Sequence, residues 1–239
     1  MPNYVKNQIE VIGDRKQIDE LLKNVSSKDR CFDFEKISPM PESLRIDSGS
    51  TNDRNYAIFL YEEKIDDSPL KGYLSYPWVK KEGITTLEEV YEYFKTKAPD
   101  GQIYNRNIAK QMHENIQKYG AKDWYDWSCN NWGTKWNASD STIDENIITF
   151  ETAWATPVPI IEKLSIDYPN LEFVVSYADE DIGSNCGIYK MKNGNIISDE
   201  KGDIVFACEM WGYDPADYDD SYRRDKTIDT ILDKKEINE

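Results

Sequence analysis

The chain has a single histidine, His113, and four scattered cysteines, Cys31, Cys129, Cys186 and Cys208, none of them in a CxxC pair. That shortage excludes clustered structural zinc sites, iron–sulfur centres and a disulfide framework, and it leaves a histidine-based nucleophilic triad with one possible base. Isolated thiols are what a reducing compartment tolerates, so a cytoplasmic location is expected. Apolar runs such as Phe173–Val175 fall far short of the roughly 20 residues that a membrane-spanning helix needs. The opening MPNYVKNQIEV has no basic segment leading into an apolar stretch, and no secretion signal is read from it. Glycines form neither GxGxxG nor GxxxxGK, which removes the common phosphate-cradling loops.

What the chain does have is aromatic area and negative charge. Seven Trp and sixteen Tyr, within a composition that is 39% hydrophobic, supply enough apolar surface for a packed core despite 31% charged residues. The net charge is −16, and residues 179–239 hold 16 acidic against 8 basic side chains, so the acidity is concentrated toward the C-terminus. A field of that sign repels phosphate backbones and favours basic protein surfaces. A partner protein is therefore expected, with no direct nucleic-acid or membrane contact and no cofactor.

Periodicity gives an α+β chain. Residues 4–12 alternate, with Val5, Asn7, Ile9 and Val11 on one face, as in a half-buried strand, and Ile18, Leu21, Leu22 and Val25 then repeat at helical spacing. Residues 26–126 read as a large insertion, with a strand over Asn55–Tyr61 and two helices. The first helix is marked by the Thr86 and Glu89 capping box and stops before Pro99; the second carries Tyr104, Ile108, Met112, Ile116 and Tyr119 and ends at Gly120. Strands are predicted over 131–137 and 146–154, joined by the polar SDSTIDE. A helix opened by Thr156 and Pro157 follows, then a strand over 171–177. Further strands are predicted at 186–191 and 203–210. Strand, helix, strand, strand, helix, strand is the split βαβ order, one antiparallel sheet with two helices on one face. The expected organisation is a single elaborated domain over 1–211, with its core at 1–25 and 127–180, the insertion at 26–126 and a sheet extension at 181–211. An acidic, partly helical tail over 212–239 completes it.

The strings PNYVKNQIEVIG, FDFEKISPMPESL, WYDWSCNNWGTKWNA and FETAWATPVPIIEKLSIDYP resemble the YubB-type ferredoxin-like family of bacteriophage- and plasmid-encoded proteins, and they fall in the family's order. The resemblance implies a ferredoxin-like fold and a place on a mobile element in a bacterial host. It carries over no reaction, catalytic residue or cofactor, and the word ferredoxin describes topology alone.

The densest candidate site is tryptophan-rich. Trp124, Trp127, Trp132, Trp136 and Trp154, interleaved with Asp126, Asn130, Asn131, Lys135 and Asn137, suit a stacking platform or a partner anchor, against a core seam, the commoner place for large aromatics. Asp179, Glu180 and Asp181 stand before Gly183, where carboxylates can hold a hard cation or serve as acid and base, or simply solvate a loop; the calcium-loop pattern fails at Gly183. Arg106, Lys110, His113 and Gln117 share a helical face suited to an anion or to water. Asp214, Asp217, Asp219 and Asp220, continued by Asp225, Asp229 and Asp233, suit an imitation of nucleic-acid phosphates or an ordinary soluble surface.

Three function classes follow. The leading one is a non-catalytic acidic protein that engages a host protein, in a nucleic-acid-mimic or anti-defence role toward a DNA-binding target. The second is a metal-dependent enzyme using Asp126, Glu151 or the Asp179–Asp181 loop. The third is a single-stranded nucleic-acid platform on the sheet, for which both the aromatic signature and the charge are wrong.

Overall fold

A computed structural model describes residues 2–96, 102 and 104–218 of the chain. In chain order the elements are β1 (Tyr4–Ile12), α1 (Arg15–Val25), α2 (Phe34–Ile37), α3 (Ser50–Glu62), α4 (Ser68–Gly72), α5 (Pro77–Lys81), α6 (Leu87–Thr96), α7 (Arg106–Tyr119) and α8 (Trp124–Asn131). They continue with β2 (Ser139–Asp144), β3 (Ile147–Ala153), α9 (Val158–Asp167), β4 (Glu172–Asp179), β5 (Cys186–Lys192), β6 (Asn195–Lys201) and α10 (Ile204–Trp211). The described residues form two compact units, one from residues 2–39 with 128–218 and one within 40–127. Among the described residues no helix is long and apolar enough to cross a membrane.

The first unit is built on a six-stranded antiparallel sheet in the order β2-β3-β1-β4-β5-β6. Its first four strands, with α1 and α9, form the ferredoxin-like arrangement. The alternation in β1 does what it predicts, because Val5, Asn7, Ile9 and Val11 are all fully buried while Lys6, Gln8 and Glu10 line the opposite face. Register carries the buried side across to Ile148 and Phe150 on β3 and to Phe173 and Val175 on β4. Residues 26–39 fold with this unit: Phe32 and Phe34 are fully buried, with ring centres 4.8 and 6.1 Å from that of Phe150. The other face of the sheet is covered near β4 and β5 by α10, where Ala178, Cys186 and Ala207 make a small core edged by Phe206 and Trp211.

Three segments differ from their sequence reading, each for a physical reason. The hairpin partner of β3 is 139–144 instead of 131–137; it is a polar edge strand, half-exposed or exposed throughout, so no apolar pattern marks it. Its pairing slips between Ser139 and Thr142, and Asp140 sits at φ 46°. Residues 55–61 lie inside α3, whose consecutive Ala57, Ile58, Phe59 and Leu60 are all buried, a run in which helix and strand leave the same mark. Residues 203–210 are helical: the Asp203 carboxylate accepts the Phe206 N–H at 2.9 Å, and Gly212 closes the helix at φ 74°.

The 40–127 unit is all helical among its described residues. Ala57, Ile58, Leu70, Val79, Val90 and Phe94 form its core. The capping box forms as spaced, with the Glu89 N–H donated to Thr86 Oγ1 at 3.2 Å and the Thr86 N–H to Glu89 Oε2 at 3.0 Å. Asn105 caps α7, and Gly120, at φ 70°, ends it.

Candidate functional site

The segment after α8 turns at Gly133, whose φ is 77° and where a side chain would meet Pro159 Cδ at 2.6 Å. The turn lays the next three residues along the end of β3. The Thr134 hydroxyl donates to the Ala153 carbonyl at 2.7 Å, and the Ser128 hydroxyl donates to the Lys135 carbonyl at 2.9 Å. With its backbone held this way, Lys135 places its ammonium 4.4 Å from the ring centre of Trp136 and 5.1 Å from that of Trp154. Both indoles are large and exposed, at 39% and 43%. A cation over an indole face contributes roughly 0.5–2 kcal/mol, more as it is desolvated, so the lysine is oriented toward both rings rather than swinging in water.

Trp154 is also strained. It sits at φ 71°, a left-handed conformation that costs a bulky side chain on the order of 1–2 kcal/mol. Its N–H donates to the Asn3 carbonyl at 2.9 Å, which fixes the backbone while the ring faces outward. Backbone strain of this kind gathers at sites of function. Trp154→Gly, which can adopt the angle, is expected to be about 1 kcal/mol more stable than Trp154→Ala, which loses the ring and keeps the strain; urea unfolding of the two variants checks it.

The remaining predicted platform residues have other duties. Trp132 is 5% exposed, donates its indole N–H to the Ser38 carbonyl at 2.9 Å and meets Phe34 edge-on, so it is core. Trp127 is also 5% exposed, and Trp124 packs at a right angle on Tyr125; both belong to the 40–127 unit. Asn130 is exposed. Asn137 is scaffold: its carbonyl oxygen accepts the Phe34 N–H at 2.9 Å and its amide donates to Asp33 at 2.7 Å.

The carboxylate candidates each have local partners. Asp179 is buried and accepts the Asp181 N–H at 2.8 Å and the Asn3 amide at 3.3 Å, closing its own turn, while Asp181 is exposed. Glu180 accepts the Tyr4 N–H. Burial pushes the Glu151 carboxyl up, helped by the charges of Asp140 and Glu180 and opposed by Lys6, its cross-strand partner. Asp126 lies in the other unit, its N–H donated to Asp123. Among the described residues no three His, Cys, Asp or Glu side chains are grouped to hold a metal ion. On the sheet face that would serve single strands, the central strands present Lys6, Gln8, Glu10, Thr149, Glu151 and Ser176, with Tyr4 at one end. That set lacks the paired aromatics of RNA-recognition sheets.

On α7 the predicted anion-binding face is already engaged. Arg106 pairs with Glu62 and Glu63, Lys110 lies 3.7 Å from Glu114, and His113 Nδ1 is 3.2 Å from the Tyr56 hydroxyl. In the tail, Asp214 accepts the Ala216 N–H and Asp217 is exposed; Asp219, Asp220 and the aspartates after them lie outside the described residues.

Sequence reasoning missed a polar cluster in the 40–127 unit. A cavity of about 650 Å³ is lined by Tyr61, Glu62, Lys64, Tyr91, Lys95, Tyr104 and Arg106. Glu62, whose side chain is 16% exposed, accepts from the Tyr91 and Tyr104 hydroxyls, each at 2.9 Å, and from Arg106. Its partners come from α6, the loop before α7 and α7 itself, and no sequence spacing announces them.

Residues 131–234 match the sequence model of a family described as "Ferredoxin-like domain in Api92-like protein". Among solved structures the chain is similar to the protein api92 from Yersinia pseudotuberculosis, at 11% identity, over 84% of this chain and 98% of that one, with a TM-score of 0.37. No curated protein matches.

Proposed function

We propose that the chain is a non-catalytic binding protein that engages a second protein through Lys135, Trp136 and Trp154. The observation that carries this reading is the pair of exposed indoles that both meet the ammonium of one lysine, at 4.4 and 5.1 Å, with the lysine's backbone fixed by Gly133, Thr134 and Ser128. Tryptophan is among the side chains that most often dominate interfaces, and the cation–π contacts set the orientation before any partner arrives. The net charge of −16 favours a partner with a basic surface, such as a protein that itself handles nucleic acid. The YubB-type resemblance supplies the setting, a phage- or plasmid-encoded protein acting on a host protein in the bacterial cytoplasm.

The test is affinity capture from bacterial lysate at about 150 mM salt, where the screening length is about 8 Å, with wild type, Trp136→Ala and Trp154→Ala side by side. One stoichiometric partner is expected for wild type. Truncating either indole is expected to weaken its binding by about 2 kcal/mol, near thirtyfold, in titrations with the purified pair. A partner held equally well by all three proteins would remove the patch from the interface.

A further inference from the structure

A smaller cavity opens immediately after Trp154 in the chain. It encloses about 260 Å³ between Ala155, Thr156 and Val158 at the start of α9, Tyr177 on β4, Asn185 before β5, Tyr189 on β5, and Ile196 and Asp199 on β6. Register builds it, since Tyr189 pairs with Asp199 across β5 and β6 and with Val175 across β4 and β5, placing these side chains on one face of the sheet. Gly187 clears space for Tyr177: a side chain there would stand 3.1 Å from the Tyr177 hydroxyl.

Its floor is polar and unsatisfied. Tyr189 is 4% exposed, and neither its hydroxyl nor Thr156 Oγ1, both buried, has a hydrogen-bond partner among the described residues. Orphaned buried hydroxyls of this sort cost stability unless something bonds to them. The rim carries the exposed Asp199 carboxylate and Asn185, and the walls are the rings of Tyr177 and Tyr189, 6.1 Å apart.

The sign of the occupant follows from Asp199, the one charged side chain among the described residues that line the cavity. An anion would meet that carboxylate, and the start of α9 offers few backbone donors to offset it: Pro157 and Pro159 have no N–H, the Val158 N–H goes to the Thr156 carbonyl, and the Ile160 and Ile161 N–H groups go to the Pro157 carbonyl. What remains is two hydroxyls and an amide, each able to accept, beside an acceptor-only carboxylate and aromatic faces. Burial raises both phenols, followed for Tyr177 by the Asp199 charge and for Tyr189 by Tyr177 and then Asp199, so they stay neutral and add no second negative group.

We propose that this cavity receives the guanidinium of an arginine. That group is planar, carries five donors and no acceptor, lies flat on aromatic rings, and finds its counter-charge in Asp199. The arginine could arrive on a partner protein or as a small molecule, and the first source rests on the binding role argued above.

The experiment titrates the full chain with N-acetyl-arginine amide, with its neutral isostere N-acetyl-citrulline amide, and with a short peptide bearing a central arginine. Amide chemical shifts of Ala155, Thr156, Tyr189 and Asp199 are followed by NMR. Saturable shifts with both arginine probes and none with citrulline are expected, weakened at least tenfold in Asp199→Asn. Tyr189→Phe is expected to weaken binding as well, with a melting temperature equal to or above that of wild type, which separates loss of a ligand contact from loss of fold. Tighter binding of the peptide assigns the arginine to a partner chain, and equal binding assigns it to a small molecule. Equal response to citrulline, indifference to Asp199→Asn, or no response to any probe overturns the proposal, the last meaning that the cavity holds water only. Partner capture that depends on Trp136 without arginine binding would defeat the cavity alone; arginine binding with capture indifferent to Trp136 would defeat the patch alone.

Discussion

Phe150→Ala is expected to lower the stability of the protein by about 4 kcal/mol, within the 3–5 kcal/mol typical of emptying a buried phenylalanine site. The ring is fully buried on β3 and touches two other fully buried rings, Phe32 at 4.8 Å and Phe34, edge-on, at 6.1 Å. Its cross-strand neighbour Asn7 is itself fully buried, with its amide donated to Thr152 Oγ1 and to the Val5 carbonyl, so it cannot swing into the vacated space without breaking those bonds. The lost transfer energy is therefore joined by the cost of a hole that the surroundings cannot close. Since whole domains are stable by only about 5–15 kcal/mol, a loss of this size should bring the urea midpoint down by about a quarter or more. Thr149→Ala, one residue away on the other face of the same strand, should move it by less than about 1 kcal/mol. Equal effects of the two substitutions would mean that residues 26–39 are not seated on β3 as described.

That aromatic cluster also shows where a sequence can be read and where it cannot. The alternation of Val5, Asn7, Ile9 and Val11 is a property of one strand, and it reported the buried face correctly, the buried asparagine included. Strand β2 escaped notice because its stability comes from backbone pairing and from neighbours such as Arg30, which bonds the Ala138 carbonyl, and Ser141 Oγ, which accepts the Phe32 N–H; none of these needs an apolar side chain. Composition marked the tryptophan-rich stretch but could not sort it. Trp132 and Trp136 stand four residues apart, and what separates a core ring from an exposed one is a carbonyl at Ser38 and a phenylalanine at position 34. The small cavity was less legible still, since Tyr189 and Asp199 meet only through the β5–β6 register, which itself slips between Lys190 and Met191, and Thr156 joins them from the loop before α9.

Glu62 should dominate the acid sensitivity of the 40–127 unit. Burial by itself would raise its carboxyl, but hydrogen bonds from Tyr91 and Tyr104, together with the charge and hydrogen bond of Arg106, outweigh that and hold it below the usual glutamate range. A carboxyl depressed on folding stabilises the protein fully at pH above its ordinary value of about 4.3, and the contribution disappears as pH falls through the lower folded value. Once protonated, Glu62 keeps its shape but loses the charge that draws in three donors. Glu62→Ala goes further and leaves the two phenol hydroxyls and Arg106 without their shared acceptor, while Glu63 still pairs with Arg106. Hydrogen bonds to a charged group are worth about 1.5–3 kcal/mol each, and partial exposure trims that, so a loss of roughly 3 kcal/mol at pH 7 is expected for Glu62→Ala and about 2 kcal/mol for Glu62→Gln. Urea unfolding between pH 7 and pH 3 provides the check. Wild type and Glu62→Gln should differ most near neutrality and converge toward pH 3, because acid removes from the wild type the same charge that the substitution removes at every pH. Parallel curves over the whole range would show that the carboxylate's charge does not hold α3, α6 and the start of α7 together.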